Sequence, residues 1–284
     1  MGYKLIKSIG LDELLSGIGV SFKPTNAVIN SISGLSDAVH GSLLFASKLV
    51  DPVKEGVVFC LEGQDAELPI VVEKPRLAFC RALNFLLDNN YLCRRSIWGD
   101  GLVDNSSHIA TSAVIEPHVI IGKNCVIEHN VVIHSGSILG DNVIIRSGSI
   151  IGSQGFGFEK ADDGSYIRFP HLGRVFIGDN VEIGALNSIC IGGLSDTVIE
   201  SDVKTDNLVH IAHNCRVGKN AILTACVELS GSVVIGDNVW LGPNSSVLQK
   251  VTIGADSVVG IGSVVRKNVD SGCTVAGNPA RRIK

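Results

Sequence analysis

Aromatic side chains and methionine are scarce in this sequence. The 284 residues include nine Phe, three Tyr, two Trp and a single Met, against 32 Gly. So few large side chains are unusual for a β-sandwich or a Rossmann domain. The composition instead favours a backbone that turns often around a thin core, with glycine at many of the turns.

Long apolar runs and the marks of a signal peptide are also missing. No stretch approaches the ~18 consecutive apolar residues of a membrane span. The N-terminal sequence MGYKLIKSIGLDELL has early acidic residues and no small-residue cleavage site, and Ile6 breaks the myristoylation pattern. We therefore expect a cytoplasmic protein without an integral membrane segment.

Charge and cysteine usage exclude further classes. The net charge is −4 and the pI about 6.1, which argues against nucleic acid or an anionic membrane as the main partner. The eight cysteines contain no CxxC pair. Reduced thiols in a cytosolic core are therefore expected.

What the sequence does have is an apolar residue every six positions from residue 109 onward. Period six fits neither a helix nor a simple amphipathic strand, and it predicts a β-solenoid. Three hexads would close one triangular coil of 18 residues, with coils stacked ~4.8 Å apart. The series has gaps after 151 and 189, and Thr205 is its one member that is not aliphatic. Its members are Ile109, Ile115, Ile121, Ile127, Ile133, Leu139, Ile145, Ile151, Ile177, Ile183, Ile189, Ile199, Thr205, Ile211, Val217, Leu223, Leu229, Ile235, Leu241, Val247, Ile253, Val259 and Val265.

The chain before the hexads has a different pattern. LDELLSGI and PRLAFCRALNFLL are typical of helices, whereas GVVFCL and LPIVVE are typical of strands. The sequence thus predicts a small α/β domain over residues 1–97 and a solenoid over 98–284.

Residues 153–175, SQGFGFEKADDGSYIRFPHLGRV, interrupt the repeat and hold a cluster of aromatic residues. A loop thrown out of a solenoid commonly lies on its binding face, although a tolerated surface insertion is the alternative. The residues of this loop that we single out are Phe156, Phe158, Tyr166, Phe169 and Arg174.

The stretch NLVHIAHN, residues 207–214, places His210 and His213 three positions apart. Because Ile211 is an inward residue, His213 lies past it, nearer a corner, and can point outward. A neutral imidazole there could accept a proton from an attacking amine. The alternatives are a solvated corner residue or a metal ligand.

A metal site has one further indication, the H-x4-H spacing of His129 and His134. However, no third histidine lies two coils upstream, where Cys93 and Trp98 stand. We therefore expect no metal.

Three stretches carry a family resemblance: GSLLF, GFGF with PHLGRVFIGDNVEIGA, and DTVIESDVKTDNLVHIAHNCRVG. With them the chain resembles the UDP-3-O-acylglucosamine N-acyltransferase family of lipid A biosynthesis. The resemblance implies a nucleotide-sugar-binding α/β domain followed by a left-handed parallel β-helix. It also implies homotrimers whose active sites lie in the clefts between adjacent β-helices.

The resemblance further implies that His213 is the general base and that a glycine amide stabilises the oxyanion. Gly231 lies 18 residues, one coil, beyond His213, and so fits that second role. The same spacing sets Glu228 one coil from His210, as a structural contact or as a residue that orients the site. The substrate-binding residues expected are Phe45, Phe156, Phe158, Arg174, Asn207 and His210.

The chain departs from the family pattern in two internal places. Phe45 fits the aromatic residue of the uracil pocket, but Lys48 and Asp51 stand near the places of its Asn and Tyr. Cys190-Ile191-Gly192 replaces an Asp-Arg-Gly stretch near the acceptor site.

The C-terminal sequence AGNPARRIK differs as well, because the family continues into a helical tail. This ending resembles acyl-CoA-dependent hexapeptide sugar acyltransferases. It suggests that Asn278, Arg281 and Arg282, with Lys267, meet CoA phosphates, or else that the terminus is simply basic.

The sequence therefore predicts a homotrimeric N-acyltransferase that needs no metal. It would move a short acyl group from acyl-CoA, acetyl-CoA first, to the amine of a nucleotide-linked amino sugar in envelope polysaccharide biosynthesis. One alternative is an acyl-carrier-protein-dependent UDP-3-O-acylglucosamine N-acyltransferase of lipid A biosynthesis. The other is a non-catalytic or metal-binding β-helix protein.

Overall fold

The computed structural model of the protein describes residues 3–93 and 99–284, which divide into two units. The first unit contains residues 3–93 and the inserted segment Gly157–Leu172. The second contains residues 99–156 and Gly173–Lys284. The chain thus leaves the second unit at residue 157 and returns to it at residue 173.

The first unit is a five-stranded sheet with two helices. Its strands lie in chain order, the first pair antiparallel and the others parallel. The predicted helices and strands are found within a few residues of their expected ends. The elements are β1 (Tyr3–Gly10), α1 (Leu11–Gly17), β2 (Val28–Ile32), a 3₁₀ turn (Leu35–Asp37), β3 (Ser42–Phe45), β4 (Val53–Cys60), β5 (Ala66–Val71) and α2 (Pro75–Asp88).

Helix α2 begins with Pro75 in its first turn, where the missing N–H is no loss. Leu83 and Leu86 lie on its buried face, together with Phe79. This spacing of three and four residues is the apolar stripe of an amphipathic helix. Helix α2 therefore has a face that packs on the sheet and a face that is left for other contacts.

The inserted segment is a β-hairpin rather than a loop, formed by strands Phe158–Lys160 and Tyr166–Arg168. It packs on α2. The Asp162 carboxylate lies 2.8 Å from Lys74 Nζ and 3.1 Å from Arg81 Nη2. Arg168 O accepts a hydrogen bond from Asn84 Nδ2 at 3.0 Å. The hairpin is thus held to the first unit.

The second unit is a solenoid of three parallel sheets, which we name faces A, B and C. Face A has ten strands: His108–Ile109, Val126–Ile127, Ile144–Ile145, Glu182–Ile183, Lys204–Thr205, Ile222–Leu223, Trp240–Leu241, Val258–Val259, Thr274–Ala276 and the antiparallel Arg281–Arg282. Face B has eight: Val114–Ile115, Val132–Ile133, Ile150–Ser153, Ser188–Cys190, His210–Ile211, Glu228–Leu229, Ser246–Val247 and Val264–Val265. Face C also has eight: Leu102–Val103, Ile120–Ile121, Ile138–Leu139, Val175–Ile177, Thr197–Ile199, Arg216–Val217, Val234–Ile235 and Thr252–Ile253.

The register of the faces confirms the 18-residue coil. Ile127 pairs with Ile145 on face A, and Ile211 pairs with Leu229 on face B. The hexad aliphatics form one continuous core, in which only the first two, Ile109 and Ile115, are partly buried. The predicted fold class is confirmed, a mainly β protein with a left-handed parallel β-helix and a small α/β domain.

Asparagine at the corner between faces C and A explains the recurring IGxN sequence. Asn142 and Asn180 both have φ of 57°, the left-handed region that asparagine tolerates better than most residues. Asn142 Nδ2 donates to Asn180 Oδ1 at 3.0 Å. These residues both turn the chain and bond one coil to the next.

Two coils depart from the 18-residue spacing, and both depart at the same corner. Leu139 pairs with Ile177, 38 residues on, and Ile177 pairs with Ile199, 22 residues on. The extra residues follow the face B strands that end at Ser153 and Cys190. We name this turn from face B to face C corner B/C. The second departure is the change of phase in the hexad series.

Within 3–93 and 99–284, no helix is both long and apolar enough to cross a membrane. All eight cysteines are free thiols.

Candidate active site at corner B/C

His213 lies at corner B/C, as expected from its place after Ile211. It follows the strand His210–Ile211, and its half-buried ring meets Gly231 of the next coil. A Cβ added to Gly231 would lie 2.7 Å from both Cε1 and Nε2 of the imidazole. Only glycine therefore leaves room for the ring in this position.

Asn214, which the sequence analysis did not single out, holds His213. Its Oδ1 lies 2.9 Å from His213 Nδ1 and accepts the Gly193 N–H at 3.0 Å. Its Nδ2 donates to Ser195 O at 3.1 Å and to Ser195 Oγ at 2.7 Å. The backbone donor at Gly193 and the carbonyl acceptor at Ser195 fix which end of the amide is oxygen.

This orientation decides the tautomer of His213. Because Asn214 Oδ1 can only accept, the neutral imidazole must carry its proton on Nδ1. The lone pair is then on Nε2, the nitrogen that lies against Gly231. A neutral His213 is therefore arranged as a base at Nε2.

The partners of Asn214 come from the second departure at corner B/C. Gly193 and Ser195 belong to the extra residues between Cys190 and Thr197, and Thr197 Oγ1 also accepts the Asn214 N–H at 2.9 Å. The change of phase in the hexads was the sequence signal that could have pointed to this support. It marks where extra residues enter, one coil before His213.

Gly231 also presents a backbone amide at the site. Its carbonyl accepts the Lys250 N–H at 3.0 Å, whereas its own N–H has no acceptor among the described residues. The glycine is half-buried. A hydrogen-bond donor without an acceptor beside a base suits a reaction that develops negative charge on a carbonyl oxygen.

His210 and Asn207 lie away from this corner. His210 stands on face B with Glu228 as its Cα partner, and Glu228 accepts a hydrogen bond from Ser230 Oγ at 3.0 Å. Asn207 lies at the opposite end of face B, where its Oδ1 accepts the Ala185 N–H at 2.8 Å. The structure therefore does not bring Asn207 together with His213.

Arg174 lies at corner B/C, two coils before His213. Its N–H donates to Asp196 Oδ1 at 2.8 Å, and its guanidinium lies 3.4 Å from Asp196 Oδ2. Thr197 N–H donates to Arg174 O at 2.9 Å. The cation is thus paired within the chain and helps to order the extra residues that support Asn214.

The predicted aromatic contacts fall in different units. In the first, the Phe45 ring lies 4.9 Å from Phe79 and 6.4 Å from Phe169, centroid to centroid. The Phe158 ring there lies 4.5 Å from the Arg168 guanidinium carbon. In the second unit, Phe156 is 87% exposed. Phe45 is therefore part of an aromatic cluster with one partly exposed edge.

Cys190 and Ile191, which replace the family's charged pair, are both buried. Burial raises the pKa of the Cys190 thiol, and burial raises that of the nearby Cys215 to about 12. Both thiols are therefore neutral. This position supplies no charge beside the site.

Arg281 and Arg282 form the last strand of face A, after Asn278 and antiparallel to Thr274–Ala276. Face A lies across the triangular coil from corner B/C. Within one chain these arginines therefore do not share a corner with His213.

No group of three or more His, Cys, Asp or Glu that could hold a metal occurs in the described part of the chain. His129 Nδ1 lies 3.2 Å from Ser112 Oγ. His134 Nδ1 lies 3.0 Å from Glu116 Oε1, and Ser135 N–H donates to Glu116 Oε2 at 2.8 Å. These contacts resemble those of Arg146 and Ser147 with Glu128, and they bond neighbouring coils. Cys93 has no printed place in such a group, and Trp98 lies outside the described residues.

The repeat is that of a known family of proteins. The profile for the bacterial transferase hexapeptide (six repeats) matches residues 118–153, 196–231 and 232–267. The UDP-3-O-acylglucosamine N-acyltransferase of Coxiella burnetii (strain RSA 493 / Nine Mile phase I) is 35% identical over 254 residues, 78% of this chain and 74% of that protein. The protein of that name from Caulobacter sp. (strain K31) is 42% identical over 130 residues. That match covers 46% of this chain and 38% of the relative's length.

Solved structures resemble the chain over its solenoid. UDP-N-acetylglucosamine acyltransferase from Francisella novicida has a TM-score of 0.50 at 25% identity, covering 64% of this chain and 67% of that one. The enzyme of that name from Campylobacter jejuni has a TM-score of 0.55 at 23% identity, covering 64% of this chain and 72% of that one. At this level of identity, the second likeness concerns the fold alone.

Proposed function

Because the chain belongs to the UDP-3-O-acylglucosamine N-acyltransferase family, we propose that it transfers an acyl group from a thioester to an amino-sugar amine. The acceptor is UDP-3-O-acylglucosamine or a closely related nucleotide-linked amino sugar. The relatives' names favour this lipid A reaction over short-chain transfer from acyl-CoA to another envelope sugar. The observation that carries the proposal is His213 Nε2 packed against Gly231.

The reaction follows from the geometry of these two residues. The neutral amine nitrogen of the sugar attacks the thioester carbonyl, and a C–N bond forms. His213 Nε2 takes the proton that the nitrogen loses, while the Gly231 N–H donates to the carbonyl oxygen, which becomes negative. The intermediate then collapses, the C–S bond breaks, and the imidazolium returns the proton to the thiolate. The products are an amide and a free thiol.

The remaining parts of the proposal rest on the family. The active form is a homotrimer with sites in the clefts between β-helices. The reaction takes place in the cytoplasm, where nucleotide sugars and acyl thioesters are made. The donor is a phosphopantetheine thioester, carried by acyl-carrier protein or by CoA.

The activity is tested with purified protein, the UDP-linked acceptor, and either a 3-hydroxyacyl carrier protein or acetyl- and butyryl-CoA. Mass spectrometry of the sugar and assay of the released thiol report the transfer. Amide formation with the carrier protein alone supports the lipid A reaction. Turnover with CoA esters alone would restore the short-chain alternative, and no amide with any donor would overturn the proposal.

Asn214 is a positioning residue in this scheme. Asn214→Gly should lower kcat roughly 10–100-fold, because the His213 proton is then free to move to Nε2. Glycine accepts the left-handed backbone of this position, where φ is 61°. The fold should therefore remain, as measured by thermal unfolding.

Asn214→Asp provides the matched variant. Its carboxylate can still accept from Nδ1–H, so part of the activity should return. The added negative charge stabilises the protonated imidazole, which is not a base, and the acidic limb of the kcat/KM profile should move to higher pH. Equal activity and equal pH profiles in all three proteins would show that Asn214 has only a structural role.

Phe45 should contribute to nucleotide binding through the exposed part of its ring. Phe45→Leu keeps apolar contact with Phe79 but removes the stacking face, so the acceptor KM should rise by about tenfold while kcat changes little. Lys48 and Asp51 predict a base preference broader than strict uracil. Competition among UDP, dTDP and GDP sugars measures this, and clear selection of the UDP sugar alone would contradict it.

A further inference from the structure

Beyond Gly231, corner B/C carries a cluster of three cations, Lys250, Arg266 and Lys267, which we name the corner cations. The face B register runs from Ile211 through Leu229 and Val247 to Val265, one coil at each step. The residues that follow these four strands therefore lie in one column along the corner. The corner cations stand in the two coils after Gly231.

The corner cations differ from other charged residues of the solenoid. Arg146 pairs with Glu128, Arg174 with Asp196 and Arg216 with Glu200. By contrast, none of the corner cations forms an ion pair with a residue that the structure describes, and all three are exposed. Three cations without carboxylate partners stand out in a chain whose net charge is −4. Their summed positive potential favours an anion.

The distance of this cluster from the base is set by the coil spacing. Lys250 N–H donates to Gly231 O at 3.0 Å, so the first corner cation adjoins the glycine. Lys267 lies three coils beyond His213, about 14 Å at the spacing of neighbouring strands. Leu248, 47% exposed, lies between the two and offers an apolar contact. An anion held by the corner cations is thus separated from the reacting carbon by an extended chain.

The other side of His213 does not offer such a site. There, at corner B/C, the Arg174 guanidinium is already neutralised by Asp196, and His134 faces Glu116. The column therefore has a neutral end before the base and a cationic end after it. A substrate that carries an anionic group at the end of a long arm fits only in the second direction.

We propose that the corner cations bind the phosphate of the donor's phosphopantetheine arm. This inference rests on the proposed function, because it takes the donor to be a thioester. The thioester lies at Gly231, the arm runs along the column past Leu248, and the phosphate oxygens accept charge-assisted hydrogen bonds from the three side chains. Arg281 and Arg282, on face A, are not needed for this contact.

The test combines Lys250→Asn, Arg266→Gln and Lys267→Gln in one variant. Asparagine suits Lys250 because φ is 64° there, and asparagine already holds that region at Asn214 and Asn244. The variant should therefore fold as well as the parent protein. Its KM for the phosphopantetheine donor should rise by about tenfold or more, with kcat and the acceptor KM changed little.

A donor without phosphate provides the internal control. Acyl-pantetheine thioester should react equally well with the parent protein and the variant, because it has no group for the corner cations to bind. Lys123→Gln with Lys219→Gln, two exposed lysines at the corner between faces C and A, should leave the donor KM unchanged. Added salt should raise the donor KM of the parent protein more than that of the variant.

The outcomes separate the two proposals. Loss with carrier-protein and CoA donors alike supports a phosphate site, and loss with only one of them supports it while identifying the bearer. An unchanged donor KM in the variant, or a rise only in Arg281→Gln with Arg282→Gln, overturns the corner-cation site while the acyltransfer stands. No amide from any thioester, acyl-pantetheine included, overturns the proposed function itself.

Discussion

Alanine in place of His213 should lower kcat by roughly 10²–10⁴-fold and leave the fold intact. The imidazole is the only base beside the Gly231 amide in the geometry described, and nothing else there takes the proton from the attacking nitrogen. Its ring is half-buried at a corner rather than in the apolar core, so its removal should cost little stability. The measurement is steady-state kinetics with both substrates saturating, alongside thermal unfolding.

His210→Ala is the matched control for this prediction. It removes an imidazole from the same coil and the same sheet, yet His210 stands on face B rather than against the glycine. Its effect on kcat should be clearly smaller. Turnover of His213→Ala within about tenfold of the parent protein would remove His213 as the base, whatever the result for His210.

The solenoid could be predicted in detail because its register is written directly in the sequence. One inward aliphatic per hexad sets both the side of the coil and the partner 18 residues away, as the pair Ile211 and Leu229 shows. The position of His213 at a corner, and of Gly231 in the next coil, followed from counting alone. Their chemical roles came from the resemblance and stay predictions.

The support of His213 could not be predicted in this way. Asn214 was visible in the IAHN string, but its partners Gly193 and Ser195 stand in extra residues that no repeat describes. Which nitrogen of His213 carries the proton depends on those partners. The sequence gave no distance between them, because the path of an insertion depends on tertiary contacts.

The inserted hairpin shows the same limit. Its aromatic residues suggested a binding loop, whereas strands Phe158–Lys160 and Tyr166–Arg168 pair with each other and pack on α2. The ion pairs of Asp162 with Lys74 and Arg81 join residues more than 80 positions apart. Such pairs are set by the fold and not by a local pattern.

Gly231→Ala should have an effect comparable to that of losing the base, a fall in kcat of roughly 10²–10³-fold. A methyl group at this position would lie 2.7 Å from His213 Nε2, too close for the ring to stay. The same methyl would stand where the reacting carbonyl must approach the Gly231 N–H. Both parts of the mechanism are therefore disturbed by one carbon atom.

The fold should tolerate this substitution, because the atoms in conflict belong to a side chain that can rotate away. Thermal unfolding of Gly231→Ala should therefore stay close to that of the parent protein. The double variant with His213→Ala separates the causes. If the methyl group acts by displacing the ring, the double variant should be no slower than His213→Ala alone, since the ring is already absent.

A double variant slower than His213→Ala alone would instead show that the methyl group also blocks the amide, so that the residual rate still depends on the Gly231 N–H. Either result keeps Gly231 in the site, because in both the single substitution is slow. Gly231→Ala with kcat near that of the parent protein would contradict the assignment. It would mean that the reacting carbonyl lies elsewhere and that the close packing of His213 on Gly231 serves only the stacking of the coils.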